Sequence, residues 1–332
     1  MTELDVAVVI VTYKSAQLAV NCILSIQPER QTPGLRIRVI VVDNASGDLE
    51  TIARAVEAHD MSSWVTLIAA PTNGGFAYGN NLGIERAYKD GPPSYLYLLN
   101  PDTEVRPGAI GSLAFFLEEH PDVAIGGSGI ENPDGSDWPI AFRFPTILSE
   151  VSWGLELGLV APLLRRWEVA KQMSKIPQPV DWICGAAMMI RPTVLAAIGG
   201  LDENYFLYFE ETDLCFRARQ AGFSTWYVPE SRIMHIVGQS TKVNERTGRP
   251  KRLPAYWFES RRRYFAVNFG IGRAMAIDIA TLWAHSIGWL KRIILRRNHT
   301  IVPHLIRDLF RHSVLWKSNR RFPPFRGFQP RL

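Results

Sequence analysis

Two β-branched runs near the N-terminus, Val6–Val11 (VAVVIV) and Ile37–Val42 (IRVIVV), set the frame for this chain. Strands this continuously apolar have to be covered on both faces, as in parallel sheets whose strands are joined by helices. A helical pattern around Ala19, Ile23 and Ile26 separates the two runs. The spacing therefore predicts βαβ units and a buried parallel sheet. Further strands are expected at Val65–Ala69, Tyr95–Leu99 and Ala124–Gly127. Helices are expected from near Gly79 to Tyr88 and from Pro107 to Glu119, with Pro107 in a first turn that needs no N–H there.

The 131–180 stretch reads as irregular. Asn132-Pro133-Asp134-Gly135 is a turn, and Pro139, Pro145, Pro162, Pro177 and Pro179 interrupt the rest. Order resumes over Val180–Ile190 (VDWICGAAMMI). At 332 residues, 47% hydrophobic and 21% charged, the chain can bury one large domain with an appendage, or two domains. Cys22, Cys184 and Cys215 are widely spaced and form no C-x-x-C, which gives no zinc or disulfide framework and points to a reducing cytoplasm. The acidic start Met1-Thr2-Glu3-Leu4-Asp5 does not resemble a secretory signal.

The charge is divided unevenly. From Glu245 to Leu332 there are 19 basic and 4 acidic residues, against 18 basic and 28 acidic in the remainder. A basic tail on an acidic body suggests an anionic partner for the tail: a membrane surface, a nucleic acid or a pyrophosphate-bearing substrate. No nucleic-acid motif is recognisable there. Within the tail, Ile271–Leu290 is apolar but carries Arg273, Asp278 and His285, and Lys291-Arg292 and Arg296-Arg297 follow. Those central charges argue against a membrane-spanning helix. An amphipathic helix packed on the body and one lying in an anionic membrane interface both fit.

Chemistry-bearing motifs recur at expected strand ends, where open α/β sheets bind ligands. Asp43 and Ser46 follow the second strand and could bind a nucleotide or simply cap a helix. Asn73-Gly74-Gly75-Phe76-Ala77-Tyr78-Gly79-Asn80-Asn81 pairs glycines with a helix start, an arrangement open to phosphate, yet it is neither a Walker loop nor a Rossmann fingerprint. Asn100-Pro101-Asp102 could hold Mg²⁺ or Mn²⁺ on a diphosphate, or be a plain turn. His235 would suit the same metal. In Tyr205–Asp213 (YFLYFEETD), three acids stand in an aromatic bed. If Glu210 starts a helix, Asp213 shares its face and meets Arg217, while Glu211 points about 100° away. Phe206, Tyr208 and Phe209 read as core. A helix start favoured by acids would explain the cluster without chemistry.

The order of these motifs is more specific than any one of them. Val8–Ser15 (VVIVTYKS), Val41–Ser46 (VVDNAS), Asn73–Asn81, Asn100–Asp102, Gly199–Asp202 (GGLD), Tyr205–Asp213 and His235–Ser240 (HIVGQS) form one series. It resembles the family 2 glycosyltransferases of GT-A fold, over about residues 5–242. The Asn-Pro-Asp triplet and Pro-Asp-Gly-Ser at 133–136 resemble the bacterial rhamnosyltransferase-like branch. The resemblance implies a Rossmann-like, mostly parallel central sheet flanked by helices. It implies a glycosyltransferase domain over 1–242, with a nucleotide-sugar half at 1–130 and an acceptor and catalytic half at 131–242, and a helical basic region at 243–332.

It also implies roles. Thr12 and Tyr13 border the nucleotide, Asp43 binds its base, and Asn73, Gly75 and Asn80 lie along ribose and diphosphate. Asp102 and His235 hold Mg²⁺ or Mn²⁺, with Asn100 where many relatives have an Asp. Glu211 is the base, Asp213 the alternate base and Glu210 its support. Trp182 and Gly185 line the acceptor pocket. The implied reaction is one inverting displacement, with dTDP-L-rhamnose as the favoured donor and a polyprenyl-diphosphate-linked or glycan acceptor. Arg261-Arg262-Arg263 and the Ile271–Arg297 segment would hold the enzyme on the inner face of the cell membrane. A UDP or GDP sugar, a non-catalytic binding module and a nucleotidyltransferase are the competing readings. Lys14 alone in VTYKSAQ is a poor match to the last.

Overall fold

A computed structural model describes residues 3–155, 167–235, 250–295, 302–317 and 321–330. The first half follows the βαβ pattern: β1 (Leu4–Thr12), α1 (Ala16–Ile26), β2 (Leu35–Asp43), α2 (Leu49–Ala58), β3 (Val65–Ala69), α3 (Gly75–Lys89) and β4 (Tyr95–Leu99). Next come β5 (Thr103–Val105), α4 (Ala109–Glu119), β6 (Val123–Glu131), β7 (Asp137–Trp138), β8 (Ala141–Phe142) and α5 (Ile147–Leu155). The second half holds β9 (Gln178–Val180), β10 (Trp182–Ile183), β11 (Ala187–Ile190), α6 (Pro192–Ile198), α7 (Glu210–Gln220) and β12 (Ser224–His235). Helices α8 (Ala255–Phe269), α9 (Ile271–Ile294) and α10 (Leu305–His312) close the chain.

The main sheet has the order β3-β2-β1-β4-β11-β6-β12-β5. β3, β2, β1 and β4 are parallel neighbours, and β6 and β12 run the same way. β11 and β5 are antiparallel to their partners, so the sheet is mixed but mostly one-directional. Val6–Ile10 are fully buried, as a strand covered on both faces requires. The carboxyl ends of β1, β2 and β4 thus share one rim.

Two expected helix starts shift. α3 begins at Gly75, four residues earlier than Gly79, because glycines conceal a helix start from propensity. α4 begins at Ala109, so Pro107 precedes the helix. Its free N–H groups are taken by Glu29, which accepts from Gly108 at 2.5 Å and Ile110 at 2.9 Å.

The C-terminal helices share a core with the body. Tyr205, Tyr264, Phe265 and Ile277 are buried together, with Phe209 and Phe216 packed against them. Arg261 is buried and donates to Glu150 at 2.6 Å, Asp278 at 2.7 Å and Thr281 at 2.9 Å. Arg263 is buried on Asp202 and the Pro323 carbonyl. Neither side chain is available to a membrane or a lipid pyrophosphate, contrary to the role expected for Arg261-Arg262-Arg263. Residues 325–328 cross Gly199–Glu203, with the Gly200 N–H on the Phe328 carbonyl at 2.7 Å.

Among the described residues no helix is long and apolar enough to cross a membrane. Of the interrupting residues on α9, Asp278 and His285 face inward, Asp278 receiving Arg261 and the Val314 N–H, while Arg273 is exposed. α9 crosses α5 at Gly154 and Gly288, where a Cβ on Gly288 would lie 2.1 Å from the Gly154 carbonyl oxygen. Arg296 and Arg297 lie outside the described residues.

Removing Arg261 leaves Glu150 and Asp278 as buried, uncompensated charges. Arg261→Ala is expected to lower unfolding stability by about 3–5 kcal/mol, measured as a fall in the urea midpoint at neutral pH.

Candidate active site

Residues 205–213 divide two cavities. On one side, a cleft of about 160 Å³ is lined by Thr12, Tyr13, Asn73, Gly75, Asn100 and Phe206, among others. On the other, a cavity of about 630 Å³ is lined by Trp182, Tyr208, Phe209, Glu211, Trp153 and Trp257, among others. The cleft sits at the carboxyl ends of β1 and β4, where ligands bind in such sheets. Phe206 faces the cleft, and Tyr208 and Phe209 face the larger cavity. The expected place in the core is therefore corrected for Phe206 and Tyr208, while Phe209 also packs on the buried Tyr205–Tyr264 cluster.

Backbone geometry fixes the dividing segment. Tyr208 and Phe209 both have left-handed φ angles, +71° and +70°. Bulky side chains avoid that region, and such strain persists only where surroundings enforce it. One enforcing contact is the Phe76 N–H on the Phe206 carbonyl at 2.8 Å. Gly75 makes the approach possible: its φ is +87°, and a Cβ there would stand 1.9 Å from the Phe206 oxygen.

The three acids separate by environment. Asp213 is buried and accepts from Arg217 at 2.7 Å, Asn268 at 2.8 Å and Tyr205 at 3.2 Å. The Arg217 pair matches the helical spacing, and three partners engage the Asp213 oxygens. Glu210 is buried too, with Oε2 unpartnered. Burial first, and then the neighbouring Glu211 charge, hold its carboxyl well above the ordinary range. Glu211 is half-buried at the cavity wall. Burial pushes it up to about 7, opposed by backbone N–H groups that include Gly185. Gly185 is thus a neighbour of the acid itself. Trp182 stacks on Phe142 at 4.2 Å and donates to the Arg143 carbonyl at 2.9 Å.

Gly185 also leads to the Asn-Pro-Asp strand end, since the Asn100 N–H donates to the Ala186 carbonyl at 2.9 Å. Asp102, 2% exposed, lies 3.0 Å from His235 Nε2 across a separation of 133 residues. Register explains the meeting: His235 pairs with Thr103 between β12 and β5. Among the described residues no group of three or more His, Cys, Asp or Glu could enclose a metal. One carboxylate and one imidazole do fit Mg²⁺ or Mn²⁺ when substrate oxygens complete the shell. Gly238 and Ser240 lie outside the described residues.

Two expected donor residues are not among those lining the cleft. Asp43 accepts from the Ser46 N–H at 3.0 Å, the Ser46 hydroxyl at 2.5 Å and the Gly47 N–H at 3.1 Å, shaping its own loop. Asn80 is buried and donates to the Phe76 carbonyl at 2.9 Å. Asn44 lines the cleft instead, donating to Asn73 at 3.1 Å and to the Gly75 carbonyl at 3.0 Å.

The family model for glycosyl transferase family 2 matches residues 7–196. This chain belongs to that family. It is a glycosyltransferase of the rhamnosyltransferase-like kind. It is similar to the N-acetylglucosaminyl-diphospho-decaprenol L-rhamnosyltransferase of Mycobacterium tuberculosis, 29% identical over 246 residues, covering 70% of this chain and 76% of that one. It is also similar to the rhamnosyltransferase WbbL of Escherichia coli, 25% identical over 178 residues, covering 48% of this chain and 60% of that one. Among solved structures, a mannosyltransferase of Pyrobaculum calidifontis in complex with GDP-Man and Mn²⁺ superposes with a TM-score of 0.54 at 14% identity, covering 91% of this chain and 77% of that one. This last likeness shows the GT-A-type fold alone.

Sequence reasoning missed several walls of this glycosyltransferase's larger cavity. Trp153 lies in the stretch read as irregular, and Trp257 lies in the basic tail. Asn44 was adjacent to a residue already singled out, and its amide was the available signal.

The acids also set a pH dependence of stability. A carboxyl raised from the ordinary value near 4.5 to about 7 keeps a proton that the unfolded chain releases. Its contribution is present at low pH and is lost as pH rises through about 7. Glu211→Gln is therefore expected to raise Tm relative to the parent more at about pH 8 than at about pH 5, measured by thermal unfolding across that range.

Proposed function

We propose that this glycosyltransferase moves a hexose, with L-rhamnose from dTDP-L-rhamnose as the first choice, onto a lipid-linked glycan acceptor by one inverting displacement. The observation that carries the reading is Glu211: a single carboxyl near neutral pKa, on the wall of an aromatic cavity, across a strained loop from the strand-end cleft. The names of the mycobacterial and enterobacterial relatives support the sugar, and the mycobacterial name supports a diphospho-polyprenol acceptor.

In this reading the nucleotide lies in the cleft between Tyr13 and Phe206, with Asn44, Asn73 and Asn100 offering amide contacts. Asp43 acts on it indirectly, by shaping the 43–47 loop. Asp102 and His235 would hold Mg²⁺ or Mn²⁺, which when bound neutralises the charge that develops on the leaving diphosphate. Asn100 in place of an acid keeps that site one formal charge lighter. The acceptor sugar enters beside Trp182 and Tyr208. Glu211 takes the proton of the attacking hydroxyl, and its pKa near neutrality matches that task. Glu210 lies beside it, its carboxyl held well above the ordinary range by burial and then by the Glu211 charge, which disfavours two adjacent charges. The division at about residue 242 remains our proposal for the domains, with the cytoplasmic membrane face as the place of work.

Incubation with dTDP-L-rhamnose, a lipid-linked acceptor and Mn²⁺ is expected to release dTDP. Release of pyrophosphate would indicate nucleotidyl transfer instead, and turnover only with UDP or GDP sugars would replace the donor. Glu211→Gln is expected to cut kcat by about 10²–10⁴-fold while leaving donor binding by calorimetry unchanged. For the parent enzyme, kcat should rise with pH through about 7 and then level. An unchanged kcat in Glu211→Gln would remove the base assignment. Asp102→Ala is expected to lose most metal activation, read as a flattened Mn²⁺ titration.

A further inference from the structure

Gly199–Asp202 (GGLD) lines neither the cleft nor the larger cavity. What it meets is a C-terminal strap, residues 321–330, that runs without helix or strand. The contact is backbone to backbone. The Gly200 N–H donates to the Phe328 carbonyl at 2.7 Å, and the Glu203 N–H donates to the Arg326 carbonyl at 2.7 Å. Glycine permits it from both sides: a Cβ on Gly327 would collide with the Leu201 carbonyl oxygen, and one on Gly199 would stand 3.0 Å from the Phe325 ring. Pro323, Pro324 and Pro330 stiffen the strap, which lowers the entropy lost when it docks.

The strap holds the acidic partition at both ends. At the entry, Asn204 donates to the Pro324 carbonyl at 2.9 Å, one residue before Tyr205. At the exit stands Arg217. It donates to Asp213 at 2.7 Å and to the Ile198 and Gly200 carbonyls at 2.8 Å each. Such bonds run in the guanidinium plane and leave its face free for an aromatic ring. Phe325 covers that face, with its ring centroid 4.9 Å from Cζ. The fork and the cation–π contact together fix this side chain in one position.

The same strap reaches the donor half. Phe328 packs on Tyr88 of α3, with ring centroids 5.0 Å apart. Asn81 of α3 ties down the same loop, accepting from the Leu201 N–H at 3.1 Å and donating to the Leu201 carbonyl at 2.8 Å. α3 is also the helix whose first turn gives the Phe76 N–H to the partition. The strap therefore bridges α3, the 199–204 loop and α7, the elements on which Gly75, the partition and Glu211 depend.

We propose that the strap is a positioning device for the base, with Phe325 as its key residue: by clamping Arg217 onto Asp213 and the 199–204 loop, it holds Glu211 in register with the donor cleft. Phe325 lines neither cavity and acts through Arg217. The role rests on Glu211 as the base in the reading above, but the clamp itself is tested without turnover.

The test is hydrogen exchange on the full chain, read at the Asp213 and Phe76 amides. These are bonded to the Phe209 and Phe206 carbonyls, each at 2.8 Å, and not to the strap. Phe325→Leu removes the aromatic face and keeps an apolar side chain, and it is expected to speed exchange at both amides by about fivefold, the size of a lost cation–π contact. Phe325→Tyr keeps the face and should keep the parent rates. Gly327→Ala lifts the strap through its collision with Leu201 and should speed both amides by about tenfold or more. Amides of β1 and β4 should exchange at the parent rates in all three variants, which separates positioning from a general loss of stability. In sugar transfer, Phe325→Leu should lower kcat with the donor KM unchanged, and Phe325→Tyr should match the parent. Faster exchange confined to 199–204, or spread equally to β1 and β4, would overturn the proposal. So would parent rates at Asp213 and Phe76 in Phe325→Leu, or a kcat equal to that of the parent. A parent chain that transfers no sugar would instead overturn the function proposed above, so the two failures are distinct.

Discussion

The hydrogen bond between the Phe76 N–H and the Phe206 carbonyl joins the donor half to the acidic loop, and the active site depends on it. Without a glycine at 75 the two backbones could not approach. The loop then turns through two left-handed aromatic residues and enters α7 with Glu210 and Glu211 leading. From the far side Asp213 anchors it through Arg217, Tyr205 and Asn268. Two anchors with strain between them make a rigid partition. In the proposed reading, a rigid partition lets one loop present Phe206 to the nucleotide and Glu211 to the acceptor hydroxyl, on opposite faces and a few residues apart. Preorganisation of this kind is what a single displacement requires, since both reactants must be aligned before either bond changes.

Legibility in the sequence followed the range of the interaction. Val6–Val11, Ile37–Val42 and Tyr95–Leu99 were readable because burial on both faces leaves an unbroken apolar run. The Asp213–Arg217 pair was readable because helical spacing alone decides it. The Asp102–His235 meeting was open to motif order but not to any local rule, since the β12–β5 register creates it. Asp43 and Asn80 were assigned to a ligand, and their carboxylate and amide also bond within a few residues of themselves. Composition cannot distinguish a polar side chain that binds its own loop from one that faces a cleft. The Trp153 wall was hidden for another reason: α5 is short, follows two prolines, and owes its place to the Gly154–Gly288 crossing.

The uneven charge has an intramolecular side that the sequence alone conceals. Arg261 meets Glu150, Arg263 meets Asp202, and Arg326 meets Glu203, so basic residues of the tail neutralise acids of the body. The first two pairs are buried, and such pairs contribute little net stability against apolar replacements, yet breaking one member is costly. Their consequence is specificity of docking: α8 can seat in one register only, with Arg261 and Arg263 each facing a carboxylate.

That docking makes the C-terminal helices part of the active site. α8 supplies Asn268 to Asp213, Ser260 to the Leu207 carbonyl at 3.1 Å, and Tyr256 against both Phe206 and Tyr208. α9 holds Arg261 through Asp278. A truncation near Gly270 would therefore remove the partner of a buried arginine and loosen the partition carrying Glu211. Loss of activity after such a cut would report on folding as much as on membrane contact. Substitutions confined to the outer stripe, such as Trp283 and Leu290, touch neither network and separate the two effects. The tail is best understood as one element with two faces: an inner face that anchors the Glu211 loop through α8, and an outer face of α9 that is apolar and open.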